Sequence, residues 1–561
     1  MARDARAVHL GRTARRSGRD RACPPRQAAR SGHRVTPRSA AGAILPPGDY
    51  RLVVPAVVVW TVSLVGLFGS STALWVIVIA GVVGSATCGA AGRLGRASWA
   101  VTSFVVVICG LAAATAVALA IRLDARADHP LTHIDGKTRV SLIIRDDPVV
   151  LDPGERVRVR VDVVAVAGRE CRHVPAELSG PAAAWVELVP GQRVSALVRV
   201  GAPRGHDLMV ARLSAVSEPR LLGRPPPHQR LAGEVRQRLR VVSARALGPD
   251  ASGLLPGLVL GDTSMLDPQV RDDFRAAGLT HLLAVSGSNF AIVCGAAVLG
   301  IRSLGASPWT TAVVGVVVLV GFVILVRPSP SVLRAAMMGM VGLLALVGSR
   351  RAQAMPALGA ATLVGVLWWP ELAVAPGFVL SVVATAGLAL WSGGMRDWLR
   401  ARHVPALLAE LVAMAVAAQL AAAPVVAVLS GRFSVVGLLA NILVVPVVGL
   451  VGVVGTAAAV GGAVGGPDGV CAGCAELVIR ALGPELWWML TCARILGSVR
   501  WAAVPVPPGV LGGIVVAVAA ALIVFALHMA ARLAMRRRDG GVRTRGPGRD
   551  VGRVWHDGRR D

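Results

Sequence analysis

Long apolar stretches decide what this chain can become. From residue 254 to 534 the sequence is almost continuously apolar. Runs of about 20 apolar residues match the thickness of a bilayer core. In lipid each backbone amide must be satisfied within the protein, so such runs become helices. The candidate spans are residues 282–301, 309–326, 331–347, 357–369, 372–391, 407–429, 435–460 and 511–533. Three more, at 52–68, 71–91 and 98–121, lie nearer the N-terminus. With 54% hydrophobic and 16% charged residues, an ordinary soluble enzyme and a disordered protein are both excluded. The fold class expected is a polytopic α-helical membrane protein.

Charge fixes the expected orientation. The net charge is +27, almost all of it from arginine, with Lys137 the sole lysine. Residues 1–48 carry +9 and residues 532–561 carry +6. Basic flanks stay on the cytoplasmic side, so both termini are expected in the cytoplasm of a multi-pass protein of the cell membrane. Such tails also attract anionic lipid or nucleic acid. The loops with Arg93 and Arg96, with Arg302, with Arg350 and Arg351, and with Arg396, Arg400 and Arg402 are cytoplasmic on the same rule. This produces one conflict. Eight crossings after an external segment leave the C-terminus outside. Either residues 435–460, with Asn441 and Pro446 in their middle, re-enter, or residues 476–499 also cross.

Residues 123–223 have a different texture. β-Branched residues alternate with polar ones, most cleanly in the Arg-Val-Arg-Val-Arg-Val-Asp-Val run that begins at Arg156. Strands are expected at 140–145, 156–165, 194–200 and 208–214, with turns at Asp152-Pro-Gly and Pro190-Gly. Some five short strands suggest a small barrel of OB type, though a sandwich gives a similar pattern. The segment is nearly neutral and has one aromatic, Trp185, so a base-stacking platform is not expected there. Residues 228–247 read as an amphipathic basic helix with Leu231, Val235, Leu239 and Val242 on one stripe. It suits a membrane surface, with a DNA-phosphate rail as the sharper reading.

The expected organisation is a disordered basic tail at 1–48, three transmembrane helices at 49–122 and an external OB-like domain at 123–223. The basic helix at 224–253, the channel domain at 254–534 and a second basic tail at 535–561 complete it. No cofactor or metal is expected. Cys471 and Cys474 form a lone C-x-x-C without a second ligand pair, and His129 with His133 reads as a solvated linker.

The segment Gly278-Leu-Thr-His-Leu-Leu-Ala-Val-Ser-Gly-Ser-Asn-Phe-Ala-Ile-Val, ending at Val293, sets His281, Ser286, Ser288 and Asn289 in apolar surroundings. Further on come Arg334-Ala-Ala-Met-Met, then Pro376-Gly-Phe-Val-Leu-Ser381, Gln419, Pro424, and a Phe433-to-Asn441 run with Pro446 beyond it. In content, order and spacing these strings resemble the ComEC family, membrane channels that admit DNA in natural competence. The similarity extends over about residues 230–530. No His-x-His-x-Asp-His string occurs, so the resemblance is to the form without a metallo-β-lactamase-like domain, and no nuclease activity is expected.

The resemblance implies an inner-membrane channel that passes single-stranded DNA into the cytoplasm and is not itself an enzyme. Its implied partners are single-stranded DNA, the lipid bilayer, a DNA receptor, a separate nuclease and a cytoplasmic motor ATPase. No Walker A string supplies energy within the chain. Polar groups at membrane depth are costly unless they face protein or water, so His281, Ser286, Ser288, Asn289, Gln419 and Asn441 are expected along the DNA path. Interhelical hydrogen bonding competes with that reading for Ser286 and Ser288. Arg334, one turn into its span, is expected either to grip phosphate or to snorkel to the surface. Ser381 is expected merely to pack. Two alternatives remain: a transporter of another solute or polymer, and an intramembrane hydrolase using Asp273, His281 and Ser286. The hydrolase lacks a Gly-x-Ser-x-Gly elbow.

Overall fold

The computed structural model describes residues 50–543, apart from 97, 152–154, 204–207, 284, 286, 348–352 and 464–468. The tail expected at 1–48 lies outside the described residues, as does the second tail beyond Arg543.

Three helices come first: α1 (Val53–Phe68), α2 (Ser71–Arg93) and α3 (Trp99–Ala127). Ser70 and Ser98 cap the second and third by accepting from the amides of Ala73 and Val101. Helices α2 and α3 approach closely at Gly81, where a methyl group would lie 2.8 Å from the Cys109 carbonyl oxygen.

The chain then forms a β-domain of β1 (Gly136–Ile144), β2 (Val149–Leu151), β3 (Arg156–Val166), β4 (Arg169–Pro181), β5 (Arg193–Gly201), β6 (Arg212–Ala215) and β7 (Arg220–Leu221). A short α4 (Ala182–Trp185) comes directly after β4. The order β1-β3-β4-β6-β5 closes because β5 also pairs with β1. All of these pairings are antiparallel except β4 with β6. This is a five-stranded OB-like barrel, as expected, and not a sandwich. Alternate residues of β3 point inward: Val157, Val159, Val161 and Val163 are buried with Trp185, Leu178 and Leu213. The longest strand, β4, lacks a clean alternation in sequence because charges fill its first half. Its signal is the buried series Val174, Ala176, Leu178 and Gly180.

Helix α5 (Pro227–Ala246) turns into α6 (Pro249–Leu260), so the single helical element expected at 224–253 is two. The apolar stripe of α5 faces protein rather than lipid. Val235, Leu239 and Val242 join the largest core cluster, while Leu231 is exposed. The interfacial-helix expectation is thereby corrected: α6 and a later helix cover the face that a membrane surface was expected to take.

After α7 (Pro268–Ala276) the membrane region continues with α8 (Gly287–Ser303), α9 (Pro308–Val326), α10 (Pro330–Val347) and α11 (Ala354–Trp368). Then come α12 (Pro376–Gly387), α13 (Gly393–Arg400) and α14 (Ala406–Ser430). Strand β8 (Arg432–Ser434) precedes α15 (Gly437–Gly462), α16 (Val470–Ala481) and α17 (Gly483–Gly497). Strand β9 (Ala503–Pro505) leads into α18 (Val510–Arg543). Among the described residues, 7 helical stretches are long and apolar enough to cross a membrane, and four shorter apolar ones accompany them. The protein is multi-pass.

Two sequence expectations change here. The span expected at 282–301 starts late: a 3-10 turn at Thr280–Leu282 precedes a helix that begins only at Gly287. The break expected at Pro446 is absent, since α15 runs unbroken for 26 residues. Proline removes one helical hydrogen bond and need not end a helix whose flanks are packed; Val444 and Val448 are both buried.

Strands β8 and β9 pair antiparallel, Arg432 with Pro505 and Ser434 with Ala503. The chain thus leaves α14 and returns to α18 at one place, and a methyl at Gly513 would touch Val428. Between them α15 and α17 lie side by side, with Trp488 Nε1 donating to the Leu443 carbonyl at 3.1 Å. The two ends of this excursion meet, so α18 runs back antiparallel to α14.

Candidate functional site

The polar residues of the membrane region gather in two places. At the first, Gly287 opens α8 against α10 and α12. Arg334 is only 6% exposed. Its Nε donates to Ser381 Oγ at 2.6 Å and its Nη1 contacts Met338 Sδ at 2.9 Å. Its Nη2 is aimed at Gly287, where a methyl group would collide with it. Among the described residues no carboxylate pairs with this guanidinium. The snorkelling alternative fails, because the side chain is enclosed between helices. Ser381, expected only to pack, holds the arginine. Asn289, also buried, reaches the Leu258 carbonyl of α6 at 3.5 Å.

Two features favour an anion beside Arg334. The first-turn amides of a helix lack intrahelical acceptors and carry partial positive charge, and α8 begins at Gly287. An arginine adds a fork of donors that suits phosphate or carboxylate. Ser286 lies outside the described residues, and of Ser288 only the backbone is described.

The second group surrounds the start of α15. Gly278, at φ 76°, brings its backbone against Ser434 and Gly437. Gln419 Nε2 lies 3.5 Å from the Ser434 carbonyl, and Ser434 Oγ donates to the Ala502 carbonyl at 3.3 Å. Asn441 Oδ1 is buried without a hydrogen-bond partner among the described residues. His281 is exposed on the 3-10 turn that leads from Gly278. The structure therefore turns Asn289 toward α6, near the start of the helix whose Gly287 faces Arg334, and places Gln419 beside Ser434 and Gly437, one turn before Asn441 on α15.

Other candidates acquire local explanations. His129 Nδ1 accepts from the Leu131 amide at 3.3 Å and caps a turn. Asp273 is held by Gln269 Nε2 at 3.2 Å and approached by Arg494 at 4.0 Å. No cluster of three His, Cys, Asp or Glu side chains suited to a metal occurs among the described residues.

A charged junction joins the barrel to the helices. Asp147, in the β1–β2 turn of the barrel, accepts from Arg327 Nε at 3.1 and 3.0 Å and lies 3.2 Å from Arg236 Nη2. Arg236 also donates to the Leu260 carbonyl at 2.9 Å and the Leu325 carbonyl at 3.3 Å, closing the ends of α6 and α9. Asp262 faces Arg240 Nε at 3.0 Å and Arg236 at 3.8 Å, and accepts from Ser264 Oγ at 2.7 Å. Desolvation pushes the Asp262 carboxyl upward, but Arg236, Ser264 and Arg240 outweigh it and hold it below the usual range. Gln229 of α5 bonds Arg327 as well. On the barrel itself, Arg156, Arg199 and Arg212 line a groove of about 450 Å³ with Glu177, Ser179 and Ser214. The sequence signal for the junction is weak: arginines on an amphipathic helix look alike until one of them is covered.

Comparison with known proteins adds an independent finding. The model of the family described as "Competence protein" matches residues 258–531. ComE operon protein 3 of Bacillus subtilis (strain 168) is 28% identical over 200 residues, covering 36% of this chain and 25% of that protein. The match thus spans about a quarter of that relative's length. No solved structure matches.

Proposed function

The chain belongs to the ComEC family of competence proteins, and from that premise we propose that it passes single-stranded DNA through the cell membrane during natural transformation. The observation that carries this reading is Arg334. A guanidinium enclosed among membrane helices with no carboxylate opposite it is costly, and a passing polyanion supplies the missing charge. One such site, flanked by neutral donors and acceptors, holds phosphate without trapping it; conduction needs sites weak enough to leave. His281, Ser286, Ser288, Asn289, Gln419 and Asn441 serve as those neutral groups, and Ser381 positions the arginine.

In the same reading the barrel at 123–223 is external, both tails are cytoplasmic, and a DNA receptor, a nuclease and a motor ATPase act as separate partners. The 254–534 region is the channel and no step in it is catalytic. Uptake of labelled DNA tests the proposal, compared in a deletion strain, the complemented strain and a strain with Arg334→Lys. Complementation should restore uptake and the Lys variant should restore it only partly, because an ammonium lacks the bidentate fork. Normal uptake in the deletion strain rejects the function. Full uptake with Arg334→Lys rejects the role of the arginine alone. Impermeant thiol labelling of Val149→Cys, exposed on β2, tests the orientation: modification only from the cytoplasmic side overturns it.

A further inference from the structure

The contact between barrel and membrane domain is made of groups that bind phosphate. Asp147 takes two donors from Arg327 and faces Arg236. Arg327 adopts φ 77° without being glycine, a sparsely populated conformation that persists only where surroundings impose it. Removing Asp147 leaves Arg236, Arg240 and Arg327 with Asp262 as their remaining carboxylate in the network. The two acids are not equivalent. The Asp262 side chain is 6% exposed and Asp147 is 35% exposed, so Asp147 is open to exchange. A row of exposed arginines leads to it: Arg156, Arg158 and Arg160 stand on the outward face of β3. Arg160 lies 3.7 Å from Asp146, the neighbour of Asp147, and the Arg199–Arg212 groove opens beside Arg156 at the far end.

We infer that Asp147 stands in for a phosphate: it occupies a phosphodiester site formed by Arg236 and Arg327, and single-stranded nucleic acid arriving along β3 displaces it and releases the β1–β2 turn from the membrane domain. Carboxylate and phosphodiester carry like charge and offer acceptors to the same guanidinium fork. The exchange is reversible and breaks no covalent bond. The barrel has almost no aromatic surface, so its contact with nucleic acid is electrostatic and steeply salt-dependent. This inference rests on the DNA-conducting reading and adds a closed state to it.

The test uses the full chain in lipid nanodiscs and a fluorescent oligothymidylate. Asp147→Asn should bind about tenfold more tightly at low salt, and its log–log salt slope should steepen by about 0.7, the increment for one more phosphate contact on a single strand. Asp147→Glu should behave as wild type, and adding Arg327→Gln to Asp147→Asn should abolish the gain. In a protein that keeps Asp147, labelling of Gln229→Cys, half-buried at the latch, should rise when oligothymidylate is added. An Asp147→Asn protein that binds no better, or a Gln229→Cys rate unchanged by oligothymidylate, overturns the latch. So does a gain seen only towards phosphatidylglycerol vesicles, which would make the site a lipid contact. Uptake separates the two readings: a wild-type strain that imports DNA while the latch tests fail leaves the channel reading standing. A wild-type strain no better than the deletion strain removes both.

Discussion

Arg236 and Arg334 are buried to nearly the same depth, 7% and 6% exposed, yet their surroundings are opposite. Arg236 sits at the barrel junction between two carboxylates and two helix-end carbonyls. Arg334 sits among membrane helices with a hydroxyl, a thioether and a glycine. In the first region the charge is compensated by the protein, and removing its buried partner Asp262 should damage the fold. In the second no carboxylate among the described residues compensates it, and under the proposed function a passing phosphate does. Burial alone does not distinguish a structural arginine from a functional one; the counter-charge does.

The largest expected effect tests the second half of that contrast. Arg334→Met should cut DNA uptake about a hundredfold, equivalent to about 2.7 kcal/mol, while abundance and melting temperature hold or rise. Replacing a buried, uncompensated charge with an apolar side chain is neutral or stabilising. A Met variant that melts much earlier than wild type makes Arg334 structural and erases the contrast.

Asp262→Asn tests the first half. It leaves Arg236 and Arg240 short of a counter-charge and should cost about 3–5 kcal/mol, as expected for a broken buried pair, read as an earlier thermal transition in detergent. The same variant carries a pH signature. The Asp262 carboxyl is held below its usual range, so its stabilisation is fully present above its unfolded value of about 3.9. It is lost as pH falls through the lowered folded value. The gap between wild type and Asp262→Asn should therefore be widest at neutral pH and close in acid. A gap that widens in acid contradicts the assigned pairing.

A smaller effect sharpens the geometry at α8. Gly287→Ala places a methyl against Arg334 Nη2, which forces the guanidinium aside and should lower uptake about tenfold, or about 1.4 kcal/mol. Gly295→Ala on the same helix meets nothing within 4 Å and should leave uptake unchanged. Equal effects at both positions point to the helix backbone rather than to the contact with Arg334.

The spans were legible because lipid demands apolar length, a property carried by each segment alone. The barrel was legible wherever alternation was clean, as in β3, and illegible in β4, where Arg169, Glu170, Arg172 and His173 mask the first half. At the candidate site, the sequence drew attention to Arg334 and the segment containing Asn289 but not to their relation. The partners Gly287, Arg334 and Ser381 stand on three separate helices, and no local pattern encodes that meeting. Asp147 was illegible for the same reason: an acid in a surface turn looks solvated until another domain covers it.

The pairing of β8 with β9 also bears on how the chain is threaded into the bilayer. A loop whose ends are clasped can be exchanged or shortened without inverting the helix downstream of it, because the direction of α18 depends only on its return to the end of α14. In this arrangement α14 and α18 form a helical hairpin with a folded cassette at its tip. Excising Gly437–Gly497 should leave a reporter fused after Arg543 on its original side, whereas deleting α14 alone should move that reporter across the membrane.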